Sequence, residues 1–396
     1  MAEPGHPPSA GPGVPASPDH IDRAWISAAL ATGAGADITN RSGSIPTRSS
    51  FAGRSIGSIS VERLPAGTSF LGTLARIRVD FEAQPAAPSV TGAAGGSWAS
   101  FICKLPADDP GSMQVASLLR AYEREAHFYD EISADVGVTV PTCRYLEIEA
   151  DTGRSVILLD DLSSITRSGD QVAGATDADS DAVVDTMAAL HRKWWNVPRG
   201  PFPEWMPGID RGEIHRLAGS IAAAQPAFVN RWADQIDPIT IDWLEQIIPQ
   251  LDSLLAGLAA EGLTMAHADL HLGNTLFRSG AGEHGAILLD WQTAMRTHGM
   301  TDFTFFVSTN LTVEDRRRRE VDLLGRYCDR LAEHGLRISA DQAMALHRKA
   351  LMWWMAMLSN NLATIQPIDK RGRDLFNAII TRVFTAAVDL EVGQLL

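Results

Sequence analysis

The chain is short of cysteine and of basic residues, and it has no apolar run long enough to span a bilayer. Its three cysteines, Cys103, Cys143 and Cys328, lie far apart and make no C-x-x-C pair. Such a sparse, odd set fits reduced thiols in a cytoplasmic protein and argues against a disulfide framework. A membrane helix needs roughly 18 consecutive apolar residues, and none are found. The first 20 residues, MAEPGHPPSAGPGVPASPDH, lack both the basic start and the apolar stretch of a signal peptide. Against 48 acidic residues stand only 34 basic ones, a formal charge of −14. Nucleic acid and anionic membrane are therefore poor partners, since both call for a basic face.

What is present is an ordinary globular composition, 45% apolar and 21% charged, spread over 396 residues. That length exceeds one small core and predicts two lobes. Residues 1–20 are rich in Pro, Gly, Ala and Ser and read as a disordered tail. Next comes a short helix over 19–31. Strands follow over 58–65, 67–81 and 100–106, the last two separated by a small-residue surface loop. Residues 112–133 carry a 3.6-residue apolar period and predict one helix, after which CRYLEIEA and RSVILLDDL read as two more strands. From about Asp177 the pattern is mainly helical. The expected organisation is an α+β chain: a β-rich N-terminal lobe with its leading helix over 21–160, and a larger helical lobe over 161–396.

The densest chemistry lies in HADLHLGN, an H-x-D-x-x-x-x-N arrangement of His267, Asp269 and Asn274. Phosphoryl transfer to a hydroxyl needs a carboxylate to orient the nucleophile and accept its proton, and an amide oxygen that can hold magnesium on the phosphates. Asp290 follows the apolar stretch AILL, 21 residues after Asp269, and is placed as a second magnesium ligand. Lys104 sits on an otherwise apolar strand, where an ammonium is costly unless paired. Glu123 and Glu125 on the following helix are candidate partners, and a kinase requires such a pair to hold the nucleotide phosphates. Gly67 and Gly72 bracket a turn that could cover those phosphates. ILLDDL, with Asp160 and Leu162, would offer backbone groups to an adenine edge.

HADLHLGN together with LLDWQ resembles the aminoglycoside phosphotransferase and choline kinase group of protein-kinase-like enzymes. EREAHFYDEI and LLDWQTAMRTHGMTDFTFFV are similar in detail to its ecdysteroid-kinase-like branch, over roughly residues 57–336. The resemblance implies a two-lobed protein-kinase-like fold and transfer of the γ-phosphoryl group of ATP, with Mg2+, to a small-molecule hydroxyl acceptor. It assigns Asp269 as the base, Asn274 and Asp290 to the metal, Lys104 to the phosphates and Glu125 to Lys104. Asp302 would act structurally beneath the catalytic loop, and His267 would brace it. Ala268 departs from the group, which has glycine at that place. No H-R-D arginine or A-P-E occurs, and the strand-turn-strand over 58–81 carries no G-x-G-x-x-G, which argues against a protein substrate.

Two other readings compete. One is a non-catalytic nucleotide-binding module. The other is a metal-dependent hydrolase using His267, Asp269 and His271, which leaves Asn274, Lys104 and the spacing to Asp290 unexplained. The run Arg316 to Arg319 lies among acidic neighbours and reads as a solvated helix face. Trp194, Trp195, Trp205, Trp353 and Trp354 read mostly as core, with Trp205 or Trp354 as candidates to line an acceptor pocket.

Overall fold

The computed structural model describes residues 11–32, 51, 54–65, 71–82, 98–198, 202–210, 217–279, 285–367 and 369–396. The chain divides into two compact units, Met1–Asp135 with Val140–Ser164, and Val136–Thr139 with Ile165–Leu396. The first is β-rich and the second mainly helical, so the fold is the expected α+β arrangement.

In the first unit, α1 (Arg23–Thr32) precedes β1 (Ile56–Arg63), β2 (Gly72–Phe81) and β3 (Trp98–Pro106), then α2 (Pro110–Leu118), α3 (Ala121–His127), β4 (Cys143–Ile148) and β5 (Ser155–Asp160). The five strands form one antiparallel sheet in the order β1-β2-β3-β5-β4. Period-two alternation sends Ile77, Val79 and Phe81 of β2 and Phe101, Cys103 and Leu105 of β3 into a core shared with Trp25 and Ile26 of α1. Lys104, one residue out of phase, is left on the opposite face. Residues 11–20 fall in the stretch expected to be disordered, but Gly13 donates to Glu147 (3.0 Å) and its carbonyl accepts from the Trp25 indole (2.9 Å). Residues 1–10 lie outside the described part.

The helix expected over 112–133 is interrupted. Asp109 caps α2, and the chain turns at Arg120, whose φ of 50° is left-handed. It resumes as α3 and widens into a π-helical turn over Phe128–Ile132. An apolar period spans both pieces and does not register a single-residue reversal.

The second unit runs β6 (Thr166–Ser168), α4 (Asp177–Trp194), α5 (Leu217–Trp232), α6 (Pro238–Ile247), α7 (Leu251–Ala260), β7 (Thr264–Ala266), β8 (Thr275–Arg278), β9 (Ala286–Leu288) and β10 (Met295–Thr297). It closes with α8 (Met300–Asn310), α9 (Val313–Ala332), α10 (Ala340–Thr364) and α11 (Lys370–Asp389). Two small antiparallel sheets, β6-β8-β9 and β7-β10, interrupt the helices. All eleven residues of α8 are buried, polar ones included. Its hydroxyls are satisfied locally: Thr301, Ser308 and Thr309 donate to backbone carbonyls, and Thr304 pairs with His347.

The arginine run is a solvated face only at Arg317 and Arg318, and all four of its members are paired. Arg316 is buried and paired with Glu320 and Asp389, and Arg317 also reaches Asp389. Arg318, Arg319, Arg326 and Arg330 cross to Asp177, Asp181 and Asp185, spaced one turn apart on α4. Trp354 belongs to the core: its ring lies 4.3 Å from that of Phe305 and its indole N–H donates to the Thr301 carbonyl at 2.8 Å. Among the described residues no helix is long and apolar enough to cross a membrane.

Candidate active site

The stretch from β7 to β8 leaves a strand, makes a short loop and re-enters a strand, so its side chains are displayed by backbone fixed at both ends. Two consecutive N–H groups, those of His267 and Ala268, donate to the two carboxylate oxygens of Asp302, each at 2.8 Å. Asp302 is fully buried in the first turn of α8, where a carboxylate is favoured by the helix dipole. Its Oδ2 also accepts from His191 Nε2 (3.2 Å), and His191 Nδ1 pairs with the Tyr327 hydroxyl (2.8 Å). The Asp302 contact places a proton on Nε2, since a carboxylate oxygen accepts.

His267 is turned away from solvent. Its Nε2 donates to the Leu289 carbonyl at 2.7 Å, and its own carbonyl accepts from Thr293. It ties the loop carrying Asp269 to the turn carrying Asp290. Ala268 has a φ of 62°, a left-handed backbone that costs a residue with a Cβ about 1 kcal/mol and costs glycine almost nothing. The departure to alanine therefore stores modest strain one residue before Asp269.

Asp269 is about one-third exposed, and Asn274 stands beside it. The Asn274 amide donates to the Asp269 backbone carbonyl (3.1 Å) and to its carboxylate (3.3 Å). With the nitrogen committed, Oδ1 makes no hydrogen bond among the described residues and is left as a hard oxygen donor. Leu289 N–H donates to the Asn274 carbonyl at 2.9 Å. This sets Asp290, itself left-handed at φ 62°, on the neighbouring rung. One carboxylate and one amide oxygen suit magnesium, which takes oxygen ligands and keeps several waters.

Burial pushes the Asp269 carboxyl up, but the His271 imidazole 3.7 Å away, His267 and the Asn274 amide outweigh it and hold it below the ordinary carboxylate value. For His271, burial works downward, while Asp269 and then Asp290 prevail and raise it. The His271 ring is fixed because its Nδ1 accepts from Gly273 N–H at 3.0 Å. Among the described residues no three His, Cys, Asp or Glu side chains gather as a metal cluster. The hydrolase reading therefore lacks the three-ligand cage that zinc needs.

In the first unit Lys104 Nζ lies 2.6 and 2.7 Å from the Glu125 carboxylate oxygens, with side chains 15% and 4% exposed. Between the two glutamates left open by the sequence, Glu123 instead holds Arg120. Gly67 lies outside the described residues, and Gly72 opens β2. Asp160 is not an open backbone edge: its N–H donates to the Thr142 carbonyl and its carboxylate grips Arg144 at 2.7 and 2.8 Å. The N–H groups of Asp161 and Ser163 are also taken, by the Ser100 carbonyl and the Asp161 carboxylate. Leu162 lies between them, half-buried beyond the strand end.

Sequence reasoning passed over His191, Tyr327 and Asn310. Asn310, fully buried at the end of α8, accepts the Leu272 N–H at 2.9 Å. The available signal was polarity out of place: LHRKWW puts a histidine on the apolar face of α4, and VSTN ends an apolar helix in an amide.

The sequence profile of the phosphotransferase enzyme family (APH) matches residues 88–338. No curated protein matches the chain. Among solved structures, the GDP and kanamycin complex of APH(2")-IIia superposes with a TM-score of 0.53 at 13% identity, covering 84% of this chain and 95% of that one. An ethanolamine kinase of Plasmodium vivax gives 0.51 at 12% identity over 85% and 84%. The GDP complex of a variant of aminoglycoside 2'-phosphotransferase-IIIa gives 0.51 at 13% identity over 85% and 93%. At these identities the likeness is one of fold, and it does not separate the ecdysteroid-kinase-like branch from the rest of the family.

Proposed function

The chain belongs to the phosphotransferase enzyme family, and on that premise we propose that it moves the γ-phosphoryl group of ATP to a hydroxyl of a small molecule, with Mg2+. Asp269 orients the acceptor hydroxyl and takes its proton as the oxygen–phosphorus bond forms and the bond to ADP breaks. Its depressed pKa suits a carboxylate that aligns the nucleophile and receives the proton late. Asn274 Oδ1 and the Asp290 carboxylate hold magnesium, which when bound neutralises charge on the phosphates. Lys104, kept in place by Glu125, binds the nucleotide phosphates. The excess of acidic residues favours a cationic acceptor such as an amino alcohol or aminoglycoside over a neutral sterol-like alcohol. The sparse, widely spaced cysteines suit a reducing cytoplasm as the place of the reaction.

The observation that carries this reading is the Asn274 amide donating to Asp269 while its oxygen is left for a metal, on a loop whose N–H groups are locked to Asp302. Thermal-shift titration with Mg-ATP and Mg-GTP tests it, since a ligand bound only by the folded state raises stability by mass action. Wild type and Asp269→Ala should both gain stability with nucleotide, and Asp290→Ala should not. With acceptors screened for ADP release, Asp269→Ala should lose at least a hundredfold in turnover. Full activity in that variant, or no nucleotide shift in wild type, refutes the assignment.

A further inference from the structure

Asn310 is fully buried, yet every polar atom of its side chain is committed. Nδ2 donates within its own helix end, to the Phe306 carbonyl at 3.2 Å and to Thr309 Oγ1 at 2.9 Å. That fixes which way the amide faces and leaves Oδ1 as the acceptor of Leu272 N–H at 2.9 Å. The flipped amide would set an N–H against an N–H. The Asn310 backbone carbonyl accepts from Ala175 N–H at 2.7 Å, so the helix end is itself held from outside α8.

Leu272 opens the 3-10 turn Leu272–Asn274. Eight residues before Asn310, and about 12 Å along the same helix at 1.5 Å per residue, Asp302 holds the N–H groups ahead of Asp269. One buried helix thus grips the loop at two points, and the second lies between Asp269 and Asn274. We infer that Asn310 is a positioning residue for the metal side of the site, setting Asn274 through the first N–H of its turn as Asp302 sets Asp269. The inference rests on the phosphotransferase reading and deepens it. Magnesium holds its ligands at about 2.0–2.1 Å in near-octahedral geometry, so a small drift of one ligand oxygen is felt as lost affinity. Residues that orient metal ligands typically contribute ten- to a hundredfold in metal affinity.

The test titrates free Mg2+ at fixed ATP and reads the magnesium-dependent rise in melting temperature for wild type, Asn310→Leu and Ser308→Ala. Asn310→Leu keeps the branched shape but removes the acceptor. Ser308→Ala deletes a buried hydrogen bond to the Thr304 carbonyl in the same helix end without touching Asn310 or Leu272. Asn310→Leu should need roughly ten- to a hundredfold more Mg2+ to reach the midpoint and should recover the full shift at saturation. Ser308→Ala should keep the wild-type midpoint even though its baseline melting temperature falls. A wild-type midpoint in Asn310→Leu, or an equal displacement in both variants, overturns the inference. If Asn310→Leu does not fold, Asn310→Ser, too short to reach Leu272, takes its place with the same expectation. Failure of both to fold makes Asn310 a folding residue only and also overturns it. A wild type with no Mg-ATP shift at all removes the phosphotransferase reading, and this inference with it.

Discussion

At the scale of single residues, the electrostatics of the loop turn on a pair. Asp269 is held ionised chiefly against its own burial, and the nearest opposing charge is His271 at 3.7 Å. Removing the imidazole leaves desolvation as the leading influence, which raises a carboxyl pKa. His271→Ala should therefore move the acid limb of kcat/KM to higher pH while the activity plateau survives. An unchanged acid limb would show that His267 and Asn274, not His271, keep Asp269 charged. Ala268 makes a different kind of contribution: its left-handed backbone is a cost carried beside the proposed base.

At the scale of elements, α8 is the part on which the site is built. It is buried along its whole length and presents Asp302 and Asn310 to one loop. Behind Asp302 stand His191 of α4 and Tyr327 of α9, so three helices meet at one carboxylate. Gly299, which precedes α8, leaves them room: a Cβ there would lie 2.4 Å from the Tyr327 hydroxyl and 2.7 Å from His191 Nδ1. Gly299→Ala should cost about 1–3 kcal/mol by overpacking, measured by urea unfolding. Adding Tyr327→Phe, which deletes the nearest clashing atom, should return part of that loss. Strictly additive penalties would show that the strain is relieved elsewhere.

At the scale of the whole molecule, the second unit carries a ladder of arginine–aspartate pairs between α4 and α9, with a further cluster on Asp389 of α11. Hydrogen bonds from Arg318 hold Asp177 down at about 2, and Asp389 is likewise lowered, first by Arg317. For Asp185 burial acts upward, but Arg326 and Arg330 prevail and lower it. A carboxyl with a depressed folded-state pKa adds stability that is present above its unfolded value near 3.9 and is lost as pH falls towards the folded value. Melting temperature followed by circular dichroism should thus hold from pH 7 to about 5 and fall steeply between about pH 4 and 2. Asp177→Asn should shrink that acid-sensitive step. An undiminished step in Asp177→Asn would place the acid sensitivity elsewhere.

The sequence by itself determined the order of elements, the α+β class and the loop chemistry, because these depend on neighbours a few residues apart. Alternation in β3 was enough to isolate Lys104, and H-x-D-x-x-x-x-N lies within one loop. Tertiary structure alone decided what depends on distant partners. It seated Lys104 on Glu125, the partner the resemblance assigned, and gave Glu123 an arginine of its own at the left-handed turn of Arg120. It moved Trp354 into the core, closed the N–H of Asp160 against Thr142, buried Arg316 and tied the whole arginine run to acidic residues of other helices. It also revealed Asn310, 38 residues after the Leu272 N–H that it accepts, and His191, 76 residues before His267, which it supports by way of Asp302. Periodicity records which face of a helix is apolar, whereas a buried hydrogen bond depends on which distant backbone group packing brings within about 3 Å, and no local pattern encodes that.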